Sequence, residues 1–582
     1  MGLHSRRERE AIMREIRLRR DGASQAFLRE VRLPDDVPDE DLGHAADVPA
    51  ARALRDGLAL HPKVTFLVGE NGAGKSTVLE AIAVACGMNA EGGGRHLRHA
   101  TRESHSPLGG HLRVSRGARI PRDDFFLRAE SLFTVATALD EMAEEQPDQA
   151  DRILAPYGGR SLHERSHGES FVALLEHRFG PDGLYLLDEP ESALSPANVL
   201  VLAERIVALA ADGAQFVIAT HSPLLLPAVP DARVVRCDAD GLHTITADEA
   251  PAVVLTRRFL ADPKAYLRPL LAEEAVDDGG AAEAGDGTVA EAGGRTDDGT
   301  SPPAEAPSGG GTTAGEGATT GAVGDDATGP SAAPSGPGGG FVRELCMAPG
   351  GTGARIRDEV HAPWIEEAVK AGVALHRAVT FLVGENGSGK STLAEGIALA
   401  MKINPEGGGS DWWFRTRSSH SSLGAKMLVV RGRRDPPLNR FFLRAESVFT
   451  LATAIEQGLN VPEGGLEPYG DVSLHEQSHG ESFLALVMHR LGPNGFFVLD
   501  EPEAALSPQS ELALLRRIHD LVLEGGQLVI ATHSPLLLAY PHATILRCDR
   551  SGVAPVSYDE AGPVVRTRAL LRGAGRAGGA HG

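Results

Sequence analysis

Two loops in this chain carry the residue types needed to hold phosphate and a hard metal ion: FLVGENGAGKST at Phe66 to Thr77 and FLVGENGSGKST at Phe381 to Thr392. In a G-x-x-x-x-G-K-S loop, glycines let backbone N–H groups wrap phosphate oxygens at a helix N-terminus. The lysine reaches the outer phosphates, and the serine hydroxyl ligates Mg²⁺. Here these positions are Gly69, Glu70, Asn71, Gly72, Gly74, Lys75, Ser76 and Thr77, then Gly384, Glu385, Asn386, Gly387, Gly389, Lys390, Ser391 and Thr392. The lysines lie 315 residues apart and later landmarks keep an offset of 312 to 316, so the repeat is a duplicated domain and not a short motif.

Paired acids follow each loop, in YLLDEP (Tyr185 to Pro190) and FVLDEP (Phe497 to Pro502). Asp188 and Asp500, each ending an apolar run, would hold the metal through water, and Glu189 and Glu501 would polarise an attacking water. An apolar strand has little reason to deliver two adjacent carboxylates merely to solvate them. Thirty-three residues beyond each aspartate comes His221 or His533, within ATHSPLLL in both copies. A lone histidine at a strand end is commonly structural; its recurrence after the same buried run favours a role in the chemistry.

One motif points two ways. HERSH at His163 to His167 and HEQSH at His475 to His479 both match the zinc-protease pattern H-E-x-x-H. The same letters contain Ser-His-Gly-Glu, at Ser166 to Glu169 and Ser478 to Glu481, and each serine lies 22 residues before the aspartate of DEP. In that place ABC-type ATPases carry a Ser-Gly-Gly-Gln or Ser-Gly-Gly-Glu signature, and the signature reading is preferred to zinc.

With these motifs in place, both halves resemble the ABC-type ATPases, and the Glu-ending signature resembles the chromosome-maintenance and recombination-repair branch. The whole of each repeat is similar to a compact bacterial group usually labelled AAA family ATPase. The resemblance covers roughly residues 27 to 270 and 341 to 570 and implies ATP and Mg²⁺ as ligands. It also implies that each signature contacts the γ phosphate held by the opposite head. Site one would then combine Lys75, Ser76, Asp188, Glu189 and His221 with Ser478, Gly480 and Glu481. Site two would combine Lys390, Ser391, Asp500, Glu501 and His533 with Ser166, Gly168 and Glu169. Neither site lacks a key group, so both are expected to turn over. The chain departs from the family at His167 and His479, which replace the first signature glycine, and at Ser195 and Ser507, where many members have aspartate. Only 91 and 88 residues separate loop lysine from signature serine, too few for the long coiled coils of chromosome-maintenance proteins. Within that window FFLRAES occurs twice, and Glu130 and Glu446 are candidates for the family's metal-sensing glutamine, with an ordinary strand-end carboxylate as the alternative.

The elements that position these groups can be read from the same text. VTFLV runs at Val64 to Val68 and Val379 to Val383 are buried strands entering the loops, and helices follow at STVLEAIAVAC and STLAEGIALAM. Short strands are expected at FLREVRL and FVREL. Buried strands are expected at Leu184 to Leu187, Phe216 to Ala219, Phe496 to Leu499 and Leu528 to Ala531. Ser195-Pro196 and Ser507-Pro508 offer an N-cap with proline at the first helical position, and Gly213 and Gly525 end those helices. Strand and helix in alternation predict an α/β fold: two P-loop heads, each a mainly parallel sheet flanked by helices.

Composition divides the chain. Of its 582 residues 42 % are hydrophobic and 23 % charged, ordinary for globular domains. Glu273 to Asp326 holds thirteen acids and one base, which accounts for −12 of the net −22. The expected layout is a basic extension at 1–26, a first head at 27–271, a disordered acidic Gly/Ala/Pro linker at 272–340, a second head at 341–572 and a disordered tail at 573–582. A linker of this length has a reach of ~45 Å and would keep the heads at a local concentration on the order of millimolar. Cys86, Cys237, Cys346 and Cys548 form no CxxC pair, which fits a reducing cytoplasm. No apolar run reaches the ~20 residues of a membrane span. Arg95, Arg98, Arg102, Arg113, Arg116 and Arg119, with Arg415, Arg417, Arg431, Arg433 and Arg434 beside Trp412 and Trp413, could contact a nucleic-acid backbone, nucleotide or solvent. A transporter energiser acting with separate membrane subunits, or an ATP-gated nucleic-acid or ribosome-binding switch with little hydrolysis, stay open beside ATP hydrolysis with pairing of the two heads. An unknown protein partner also stays open.

Overall fold

The computed structural model describes residues 26–90, 92–93, 106–128, 132–162, 167–192, 194–269, 340–348, 363–405, 407–409, 423–445, 448 and 479–577. The N-terminal extension, the linker up to 339, HExxH and the signature serines lie outside these residues, apart from the backbone of His167 and His479.

In the first head the strands are β1 (Leu28–Arg32), β2 (Leu58–Ala59), β3 (Val64–Val68), β4 (Arg113–Arg116), β5 (Asp123–Arg128), β6 (Gly183–Asp188), β7 (Gln215–Ala219), β8 (Arg233–Asp238) and β9 (Gly241–Ile245). The helices used below are α1 (Lys75–Ala85), α2 (His167–His177), α3 (Pro196–Ala211), α4 (Leu225–Ala228) and α5 (Pro251–Ala261). The second head repeats the plan with β10 (Val342–Met347), β11 (Val373–Ala374), β12 (Val379–Val383), β13 (Gly408–Gly409), β14 (Met427–Arg431), β15 (Asn439–Arg444), β16 (Gly495–Asp500), β17 (Gln527–Ala531), β18 (Ala543–Asp549) and β19 (Gly552–Val556). Its helices are α6 (Lys390–Ala400), α7 (His479–Arg490), α8 (Pro508–Leu523) and α9 (Gly562–Ala577).

The main sheets run β5-β6-β7-β3-β8-β9 and β13-β15-β16-β17-β12-β18-β19. Every pairing from β5 to β8 and from β15 to β18 is parallel, while the closing hairpins β8–β9 and β18–β19 and the β13 edge are antiparallel. Central strands such as VTFLV are buried on both faces, as continuous apolar runs in a parallel sheet require. Each head adds a small antiparallel sheet, β2-β1-β4 or β11-β10-β14, whose pairing partners the sequence did not announce.

A buried glutamine ties the two sheets of each head. Gln215, fully buried at the start of β7, accepts from Phe27 N and Leu28 N at 2.9 and 2.8 Å and donates to Leu28 O and His61 O, both at 2.8 Å. Gln527 repeats this, accepting from Val342 N and donating to Val342 O and His376 O. An amide with four such bonds satisfies a group that would otherwise be costly to bury. Ser195 and Ser507 cap α3 and α8 as expected, accepting from Asn198 N at 3.4 Å and Ser510 N at 3.2 Å. The C-terminal boundary needs correction. α9 runs to Ala577, past the end set at 572, so the first five residues assigned to a disordered tail are helical.

The heads meet through helices that also pack in their own cores, Val253 and Phe259 of α5 in the first and Val564 of α9 in the second. Leu570 and Leu571 of α9 pack into the first head's core together with Leu536, and α9 lies against α3 and α4. Reciprocally, α5 lies against α8, and Leu267 just beyond α5 joins the second head's core. The contacts α5 with α8 and α9 with α3 are the same contact made twice, related by the repeat.

Candidate functional site: two phosphate loops facing the opposite head

Each loop leaves its strand, turns, and opens a helix with the lysine. Gly74 and Gly389 adopt φ of +87° and +93° at the N-caps of α1 and α6, a conformation other residues resist. A Cβ on Gly74 would also overlap the Val48 side chain. Lys75 Nζ, almost fully buried, donates to Gly69 O and Glu70 O at 3.1 and 2.9 Å; Lys390 Nζ does the same to Gly384 O and Glu385 O at 3.1 and 3.3 Å. Ser76 Oγ donates to Asp188 Oδ1 at 2.9 Å and Ser391 Oγ to Asp500 Oδ1 at 3.2 Å, which brings the expected metal-binding pairs together. The next residue leaves the strand abruptly. Glu189 and Glu501 have φ of +48° and +51°, a left-handed backbone that costs about 1–2 kcal/mol in a non-glycine residue. This turn aims their carboxylates back at the loop lysines, 4.0 and 3.9 Å away, and not along the strand.

His221 and His533, both buried, complete the set, with Nδ1 of His221 3.4 Å from Glu189 and Nε2 of His533 3.6 Å from Glu501. The loops that carry them are fixed by a second pair of acids, two residues beyond the first, which the sequence motifs do not single out. Glu191 accepts from Thr220 Oγ1 at 2.5 Å and His221 N at 2.8 Å; Glu503 accepts from Thr532 Oγ1 at 2.8 Å and from His533 N. Burial pushes the Glu503 carboxyl up, against the pull of these bonds. Burial presses both imidazoles toward neutrality, but with different outcomes. At His221 the Glu189 carboxylate overrides it and raises the pKa, whereas at His533 Lys390 and Arg566 add to it and drive the value well below 6.5.

Sequence reasoning also missed Arg128 and Arg444, the arginines of FFLRAES. Parallel pairing sets Arg128 opposite Asp188 and Arg444 opposite Asp500. Arg128 bridges Glu80 of α1 at 2.8 Å and Asp188 at 3.7 Å, and Arg444 bridges Glu395 of α6 at 2.7 Å and Asp500 at 3.1 Å. Each guanidinium thus holds the second oxygen of the carboxylate whose first oxygen faces the loop serine. The clue was the identical apolar-then-arginine ending of two strands. Glu130 and Glu446 lie outside the described residues.

The opposite head approaches each loop. Asn71 Nδ2 reaches Ala505 O at 3.5 Å, and a Cβ on Gly480 at the start of α7 would overlap Asn71; Glu481 lies over Gly72. Ser507, Pro508 and Gln509 at the start of α8 close a cleft with Gly69, Glu70 and His221. On the other side Glu385 and Asn386 share a cavity of about 870 Å³ with Ala173 and Glu176 of α2 and with Ser195 and Asn198 at the start of α3. Gly168 and Glu169 begin α2, within the described backbone. Two of the basic-window arginines serve the fold. Arg119 pairs with Asp182 and lies over Phe27, and Arg434 binds Gly525 O and Asn494 and lies over Phe341. Arg113, Arg116, Arg431 and Arg433 are exposed, while Arg95, Arg98, Arg102, Arg415, Arg417, Trp412 and Trp413 lie outside the described residues. Burial pushes the Cys237 and Cys548 thiols up to about 12, as small core residues and not reactive thiols.

The donor set suits Mg²⁺ and a triphosphate. Serine hydroxyl and aspartate carboxylate are hard oxygen ligands, and the loop backbone with its lysine forms an anion cradle. Asn71 and Asn386, at matching places in the two cradles, each keep a buried Oδ1 with no hydrogen-bond partner. Among the described residues no helix is long and apolar enough to cross a membrane.

Comparison with known proteins gives the following relatives. Residues 170–226 and 460–539 match the family "AAA domain, putative AbiEii toxin, Type IV TA system", and residues 55–114 match "AAA domain". The cobalt import ATP-binding protein CbiO of Salmonella typhimurium is 27 % identical over 171 residues, 27 % of this chain and 61 % of that protein, so the chain spans about three fifths of its length. Among solved structures, UvrA2 from Deinococcus radiodurans superposes with a TM-score of 0.38 at 14 % identity, covering 80 % of this chain and 67 % of that one. A structure titled RNase-L Inhibitor gives 0.38 at 15 %, covering 89 % and 90 %. The cytochrome c biogenesis ATP-binding export protein CcmA of Mesorhizobium japonicum is 31 % identical over 186 residues, 29 % of this chain but 87 % of its own length. With loop, acids and histidine repeated in both heads and a relative matched over nearly its whole length, the chain belongs to the ABC-type P-loop ATPases.

Proposed function

We propose that this protein hydrolyses ATP at two composite sites, each built from the phosphate loop of one head and the signature helix of the other, and that binding and hydrolysis close and open the pair. The observation that carries this reading is the facing of Asn71 and Gly72 with Gly480 and Glu481. The facing of Glu385 and Asn386 with α2 and the start of α3 repeats it.

Lys75 and Lys390 would bind the outer phosphates, to which loop N–H groups also donate. Mg²⁺, when bound, would neutralise developing phosphate charge, held by Ser76 and Asp188 or by Ser391 and Asp500. Glu189 and Glu501, turned inward by their left-handed backbone, would orient the attacking water and draw its proton. His221 and His533, fixed through Glu191 and Glu503, would contact the γ phosphate; Ser478 and Gly480, or Ser166 and Gly168, would reach it from across the interface. Arg128 and Arg444 would keep the aspartates oriented toward the serines. The import and export roles that CbiO and CcmA are named for favour a second reading, an energising subunit that works with separate membrane proteins.

Shared sites have a kinetic signature. Lys75→Ala disables site one, and Ser478→Arg disables the same site from the other head, so together they should cost little more than either alone. Lys75→Ala with Ser166→Arg removes both sites and should abolish turnover. Steady-state phosphate release, with ATP-binding stoichiometry beside it, decides the matter. If Lys75→Ala with Ser166→Arg keeps the activity of the single variants while Lys75→Ala with Ser478→Arg is dead, the heads do not share sites.

A further inference from the structure

The two sites differ at one position beside the phosphate loop. α5 and α9 align through residues buried alike, Val253 with Val564 and Thr256 with Thr567, which sets Leu255 of the first head against Arg566 of the second. Leu255 lines the apolar side of the cleft that also holds Gly69, Glu70 and His221. Arg566 instead reaches Glu385, the loop acid that matches Glu70, in an ion pair. Among the described residues no ion pair ties Glu70. The same guanidinium is near enough to His533 to help keep that ring neutral, after burial and Lys390.

These differences act on a ligand of four negative charges. An acid in the loop repels the triphosphate unless a cation offsets it; with Arg566 37 % and Glu385 51 % exposed, solvent and salt screen that offset to a modest size. In site two the offset is built in, and in site one a leucine stands there. We propose, on the reading of both loops as ATP sites, that the sites are unequal. Site two, at Lys390, holds nucleotide more tightly because Arg566 neutralises Glu385, whereas Leu255 leaves Glu70 uncompensated in site one. Arg566 is thus a residue that sets affinity, and site one is the site that empties and refills first in the cycle.

The test isolates each site in the full chain. Lys75→Ala leaves site two and Lys390→Ala leaves site one; equilibrium binding of a non-hydrolysable ATP analogue with Mg²⁺ is then measured at low and high salt. Site two should bind about threefold more tightly, equivalent to ~0.7 kcal/mol, with the gap narrowing as salt rises. Arg566→Leu in the site-two protein should bring it to site-one affinity, and Leu255→Arg in the site-one protein should move it the other way. Each substitution installs the residue that the sister helix already carries, so the fold is expected to accept it. Equal affinities, or an Arg566→Leu change without effect, would overturn the inference and leave the ATPase reading standing. Binding by neither protein would overturn both.

Discussion

Glu511 offers a perturbation whose size follows from its surroundings. It lies in the first turn of α8, fully enclosed, with the Ser534 hydroxyl donating to it, and Val199 occupies the matching place in α3. Burial pushes its carboxyl up to about 8, and the Glu503 carboxylate adds to this, while the Ser534 bond and His221 of the first head pull the other way. The ordinary value is 4.5. A folded-state pKa above the unfolded one means that the folded chain holds its proton longer. The contribution to stability is then fully present below pH 4.5 and is lost as pH rises through 8. The loss tends to a ceiling on the order of 5 kcal/mol above pH 8, at 1.36 kcal/mol for each pH unit between the two values. Glu511→Gln keeps the shape and can still hydrogen-bond Ser534 without titrating. Its melting temperature should exceed that of the parent by on the order of 10 °C at pH 9 and by little near pH 5, at ~2–4 °C for each kcal/mol in a domain of this size. Glu511→Val, which copies the first head, should follow the same trend. Thermal unfolding across pH 5 to 9 is the assay. Parent and variant curves that stay parallel over the whole range would refute a buried acid at this position.

Other perturbations read the site directly. Arg128→Met with Arg444→Met leaves two pairs of nearby carboxylates without their shared cation. It should lower stability by about 3–5 kcal/mol per head and cut ATP turnover more than tenfold, with Arg→Lys recovering part; unchanged Mg²⁺ binding by calorimetry would count against the positioning role. Deleting half of Glu273 to Gly340 should leave hydrolysis within a few-fold, because α5 against α8 and α9 against α3 already join the heads; a loss beyond tenfold would make the linker a working part. Purified protein should carry no stoichiometric zinc, and about two zinc ions per chain by metal analysis would return HExxH to the metalloprotease reading.

Much of this was legible because it rests on local rules. The VTFLV strands fall on the residues that the apolar runs mark, and the Ser-Pro starts of α3 and α8 are where capping chemistry puts them. The loop lysines, serines and acids meet because sheet order brings β6 and β16 beside the loop strands' neighbours. What stayed hidden depends on partners distant in sequence. Arg128 gave no sign of its partner until β5 paired with β6, and Gln215 and Gln527 gave none that they tie two sheets. Nor did the near-identity of the repeats announce a difference. Leu255 and Arg566 lie in segments outside every motif, where only the loop acid opposite gives the exchange a meaning.

The repeated helix contact carries one more consequence. Where two partners meet through the same pair of helices twice, the contact has a half-turn axis, and between two identical chains any substitution must appear on both sides of that axis at once. Joining the partners end to end removes that obligation. The helices keep the reciprocal pairing, in α5 against α8 and α9 against α3, while Leu255 and Arg566, and Val199 and Glu511, hold matching places in its two halves. A dimer of equals can only fire in either order, but a pair written into one chain can acquire a first stroke and a second.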